Sequence, residues 1–85
     1  MEIAHSIINS FTDELEIVVE PECAPYYVKR GSRITFYFTE EMGSETAVLC
    51  EVREVDYWAL WFGNKGMQGP LRVQIDDKAV SAMWR

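Results

Sequence analysis

One histidine, two cysteines and fourteen carboxylates are the side chains of this 85-residue chain that could carry reaction chemistry. A blue-copper centre needs two His, a Cys and usually a weak axial Met, and His5 is the sole histidine. Two Cys and one His supply only three ligands for a structural zinc, and they are widely scattered. His5 has no Ser or Cys in a recognisable nucleophile motif around it, so it is expected as an ordinary half-exposed side chain ending an N-terminal strand. Cys23 and Cys50 are too far apart for a Cys-x-x-Cys pattern, and a disulfide would require the fold to bring them together. Cys50 shares an alternating face with Val48 and Val52, which predicts a small buried hydrophobe. Cys23 lies in a proline-flanked acidic loop whose carboxylates should raise its thiol pKa. Neither is expected to be a nucleophile.

Glu40-Glu41 and Asp76-Asp77 are adjacent pairs, and neighbours on an extended chain point to opposite faces, which makes them poor partners for glycosidase chemistry. The spaced acidic loop of an EF-hand is absent. Gly63-Asn64-Lys65-Gly66 and Gly66-Met67-Gln68-Gly69 lack the Gly-Lys-Ser/Thr of a phosphate-cradling loop. The residues therefore predict no catalytic group, no metal and no cofactor.

What is left is surface. Trp58 shares a face with Leu60 and Phe62 and reads as core. Tyr57 and Trp61 point the other way with Ala59 between them, forming a candidate interface together with Trp84. An N-terminal strand, a loop or Trp84 itself could instead cover them. A second candidate surface is acidic: Glu14, Glu16, Glu20, Glu22, Glu40 and Glu41. Glu16 and Glu20 fall on one strand face with Val18 between them, which would present their charges together.

The elements that position these groups are short strands. Period-two alternation recurs at Leu15–Val19, Arg33–Thr39, Thr46–Val55, Tyr57–Phe62 and Leu71–Ile75, and no stretch of twelve residues holds a helical stripe. Pro21 and Pro25 break the chain before Tyr26-Tyr27-Val28 resumes an extended run. Gly31 supplies a turn able to take positive φ, and Asp76-Asp77-Lys78 resembles a tight hairpin turn without the usual glycine. Ile3–Ile8 suits a first strand and Ala79–Ser81 a last one. The chain predicts an all-β class: residues 1–85 as one small antiparallel β-sandwich or partly open barrel of six to eight short strands.

Several of these features recur in a known pattern. Asn9–Thr12, the strand ending in Glu20-Pro21, Tyr27 to Gly31, and Ile75-Asp76-Asp77 together resemble a widespread group of small uncharacterised bacterial β-domains. In that group the last position is glycine where this chain has Asp77. The resemblance implies a cupredoxin-like or immunoglobulin-like sandwich with no assigned activity.

Charge narrows the partners. The net charge is −6, and twelve of the fourteen acidic residues precede Tyr57 against four of the eight basic ones. Such a field repels phosphate backbones and anionic membranes, so neither nucleic acid nor membrane is an expected partner. Met1–His5 has no basic segment leading into an apolar run, and no apolar run approaches the ~20 residues that span a bilayer. A cytoplasmic setting with reduced thiols is the expectation. The sequence thus points to a non-enzymatic module that binds another protein or a second copy of itself. Its alternatives are an acidic inhibitor or immunity-type protein that blocks a basic site or mimics nucleic acid, and, more weakly, a carbohydrate-binding module.

Overall fold

Eight strands follow one another along the chain: β1 (Glu2–Ile8), β2 (Glu14–Val19), β3 (Ala24–Lys29), β4 (Arg33–Thr39), β5 (Val48–Glu54), β6 (Tyr57–Phe62), β7 (Arg72–Ile75) and β8 (Lys78–Val80). They are taken from a computed structural model that describes residues 2–20, 22–39, 48–62, 70 and 72–83. The predicted turns at 40–44 and 63–66, and Trp84, lie outside the described residues. The strands form two four-stranded sheets, in the order β1-β4-β7-β8 and β3-β2-β6-β5. The all-β sandwich predicted from alternation is the observed architecture, and the described residues contain no helix that could cross a membrane.

Alternation works as expected in the central strands. Ile34, Phe36 and Phe38 of β4 and Leu15, Ile17 and Val19 of β2 turn inward and are buried, joined by Val28, Leu60 and Val73. Tyr26 meets Phe36 edge to face across the layers, ring centroids 5.8 Å apart. A strand whose two faces see different media keeps its register, because a slip of one residue would turn this row into water.

One pairing departs from the antiparallel expectation. β2 and β6 run parallel, Glu16 beside Tyr57 and Val19 beside Leu60. Both are inner strands of the second sheet, and the chain visits the first sheet between them. A strand that returns after such a crossover is free of the hairpin constraint that forces antiparallel neighbours.

Two corrections concern strand limits. Pro25 does not break the chain but lies within β3, paired with Val18. His5 lies in the middle of β1, half-buried opposite Phe36, rather than at its end.

The turns obey local chemistry. Gly31 adopts φ 87°, and Asp76 and Asp77 adopt φ 48° and 68°. With Ile75 paired to Lys78, these two aspartates are the entire loop of the β7–β8 hairpin. Two successive positive φ values define a type I′ turn, whose twist matches that of the strands it joins.

Asn9 fixes the corner where β1 leaves for the other sheet. Its side chain is fully buried, and its amide donates to the carbonyls of Val28 at 2.8 Å and Thr12 at 3.0 Å. Its Oδ1 accepts from the Thr12 N–H at 3.2 Å. The Asn9 main chain also donates to Ser32 O and accepts from Gly31 N–H, tying this corner to the β3–β4 turn.

Candidate functional site

The outer face of β5 and β6 holds the predicted aromatic pair. Tyr57 and Trp61 are both half-buried, and Leu49 on β5 lies directly beside Trp61. The N-terminal strand does not cover this face, since β1 belongs to the other sheet; Arg53 of β5, which the sequence did not suggest, lies over Tyr57 instead. Its guanidinium lies 5.7 Å from the Tyr57 ring centroid, donates to Glu51 at 2.9 Å and stands 3.8 Å from Glu20 at the end of β2. On the same face Val18 and Ala59 are buried. Arg53 reaches across β6 past these short side chains and sets its charge between the Glu51 and Glu20 carboxylates.

Glu20 is thereby removed from the acidic surface. Its exposure is 6%, and besides Arg53 it accepts a hydrogen bond from the Cys23 thiol at 3.4 Å. The expectation that Glu16 and Glu20 present their charges together is corrected, since only Glu16, half-buried, retains access. Glu14 and Glu22 are exposed but separated, and Glu40 and Glu41 lie outside the described residues.

The parallel pairing creates an acidic grouping that strand alternation did not foretell. Glu14 and Glu16 of β2 meet Glu54 at the end of β5 and Asp56 of the β5–β6 turn around a depression of about 370 Å³ flanked by Tyr27 and Tyr57. No sequence signal short of knowing the β2–β6 neighbourhood would have joined them. Among the described residues, no three His, Cys, Asp or Glu side chains are arranged to hold a metal ion.

Both thiols are held above their ordinary pKa. For Cys23 the first cause is its hydrogen bond to Glu20, followed by desolvation; for Cys50 it is partial burial of the sulfur. Cys50 is nevertheless exposed, which corrects its reading as a buried hydrophobe. Its strand explains the difference: β5 is an outermost strand, and although Val48, Cys50 and Val52 do share one face, only Val48 packs on the core.

Among the side chains described in the β5–β6 hairpin, Leu49, Val52 and Val55 are the large apolar ones left exposed, at 63%, 60% and 69%. They were not singled out from sequence, because alternation alone cannot tell an inner strand from an edge. Trp58, read as core, is half-buried and packs against the core, with Phe11 stacked on it at 5.3 Å and 12° between the rings. At the opposite side of the sandwich, a groove of about 590 Å³ runs between β3 and the β7–β8 hairpin, lined by Tyr26, Tyr27, Ile75, Val80, Ala82 and Met83 among others.

Comparison of the chain with protein families, with curated proteins and with solved structures finds no match.

Proposed function

We propose that this protein is a non-enzymatic binding or self-assembly module that works through the β5–β6 side of its second sheet. The observation that carries the reading is the placement of Leu49, Val52 and Val55, each more than half exposed, on and beside an outermost strand. A strand edge offers a row of main-chain donors and acceptors, and apolar side chains beside it supply the area that makes pairing favourable. Leu49 and Trp61 form the adjoining apolar contact on the outer face, with Tyr57 one step along β6. Such a partner is a protein, since extended backbone is what a strand edge recognises. The resemblance to small bacterial sandwich domains is proposed on the same terms, supported by the Gly31 turn and the Ile75-Asp76-Asp77 hairpin in their expected places. A reducing cytoplasm suits two free thiols.

The test is a paired measurement on Leu49→Arg and Trp61→Ala: oligomeric mass by light scattering, and capture of partners from the source lysate. Loss of mass or of capture in the substituted proteins supports the reading. If both variants keep the parent mass and the parent partners, the β5–β6 side is not the working surface.

A second reading draws on the acidic depression formed by Glu14, Glu16, Glu54 and Asp56. Four carboxylates around two tyrosines suit a basic side chain of a target whose site is to be blocked. Binding of that kind weakens as salt rises and on charge reversal at Glu16 or Glu54.

A further inference from the structure

The second sheet has two edges, and the chain treats them differently. The bonds from Glu16 N–H to Asp56 O and from Glu20 N–H to Leu60 O fix which way the main-chain groups face. In a strand these groups alternate sides residue by residue. Glu16 and Glu20 spend theirs on β6, so Leu15, Ile17 and Val19 face β3. Their partners there are Val28, Tyr26 and Ala24, which leaves Pro25 and Tyr27 turned outward. Pro25 has no N–H to expose, and its carbonyl accepts the Met83 N–H at 2.8 Å. The β3 edge is guarded.

At the other edge, Asp56 and Leu60 turn toward β2, so Ala59 and Trp61 turn toward β5, where Glu51 and Leu49 are their partners. Val48, Cys50 and Val52 therefore turn their main-chain groups outward. Among the described residues no strand pairs with that side and no proline interrupts it.

We infer that a second copy of this chain occupies this edge, its β5 antiparallel to the first and the two-fold axis passing at Cys50. The inference rests on the binding reading above and names its partner. Three alignments about a two-fold axis use the longest stretches of the edge. The one centred on Cys50 spans the whole regular stretch Val48–Val52. It sets Val48 against Val52 of the second copy, Cys50 against Cys50, and Leu49 against Glu51. The inner row is then wholly apolar, and no like charges stand opposite. Centring on Glu51 would set the two glutamates directly against each other, which is destabilising. Centring on Val52 runs the pairing into the irregularity between Val52 and Glu54. Of these three registers the one centred on Cys50 alone meets neither a like-charge pair nor the irregularity. It gives the isologous contact that two-fold symmetry requires, and the two sheets become one of eight strands.

The test uses the full chain. Light scattering over a concentration series should show a monomer–dimer equilibrium that tightens with added salt, since each copy carries a net charge of −6. Cys50→Pro copies the device at Pro25: it removes an outward N–H while leaving the bonds to β6 intact, and should weaken dimerisation about tenfold. Circular dichroism checks that β5 survives, and if it does not, Val52→Lys takes its place by putting charges into the apolar row. In a Cys23→Ser background, a short bismaleimide should join two copies through Cys50, whose Cα atoms would stand about 5.5 Å apart. A monomer at every concentration, or a dimer that Cys50→Pro and Val52→Lys leave as tight as before, overturns the inference. If the monomer still binds a different protein, and Leu49→Arg abolishes that binding, the second copy is refuted while the binding reading stands.

Discussion

Met83 donates its backbone N–H to the carbonyl of Pro25 at 2.8 Å, and with that bond the tail beyond β8 crosses from one sheet to the edge of the other. The proline ring removes the donor from that position and Met83 takes the acceptor. Replacing Met83 by proline should cost about 1 kcal/mol, the usual net worth of one such bond. For a domain of this size that is a fall in melting temperature of roughly 4–8 °C. Met83→Ala, which keeps the N–H, should leave the melting temperature close to that of the parent.

Asn9 is the buried polar residue with most at stake. Asn9→Ala removes the side-chain bonds to the Val28 and Thr12 carbonyls and from the Thr12 N–H at a fully buried position, a loss of about 1–3 kcal/mol. A shift of the urea midpoint with an unchanged slope would show that the corner has weakened without loosening the whole fold. Asn9→Asp should be at least as harmful, because a carboxylate cannot donate to Val28 or Thr12.

The β7–β8 turn carries strain and a pH signature. Asp77 has φ 68°, a conformation that glycine adopts freely, so Asp77→Gly should stabilise the protein by about 0.5–1 kcal/mol in thermal or urea unfolding. Asp76 accepts from the Arg33 N–H at 3.0 Å. The Ser32 hydroxyl first, and this N–H second, hold its carboxyl below the usual range. Folding lowers this pKa, so the contribution is complete above about pH 4 and fades as pH falls through the folded value. Asp76→Asn should remove that part of the acid dependence while keeping the turn, since Asn also tolerates positive φ.

Cys23 reports on the buried carboxylate beside it. Its thiol is raised first by the hydrogen bond to Glu20, so alkylation should be slow at neutral pH and accelerate as pH passes above the ordinary thiol range. Glu20→Gln removes the carboxylate charge and should make Cys23 react faster at pH 8. An unchanged rate would mean that Glu20 does not control this thiol.

The sequence alone settled what depends on neighbours along the chain. Alternation at Ile34, Phe36 and Phe38 gave β4 its inner face, Gly31 and the Asp76-Asp77 pair gave the turns, and six to eight short strands in a small sandwich or partly open barrel followed from burying such faces against one another. Tertiary structure decided what depends on which strand lies beside which. Cys50 and Val52 carry the same pattern as buried strand residues, yet β5 ended at an edge and left them exposed. Glu20 carries the pattern of an exposed acid, yet Arg53 from a distant strand and Cys23 enclosed it. The physical reason is that periodicity reports which way a side chain points, while burial and pairing depend on what stands opposite, and for β2, β5 and β6 that is set by a parallel pairing between segments some forty residues apart.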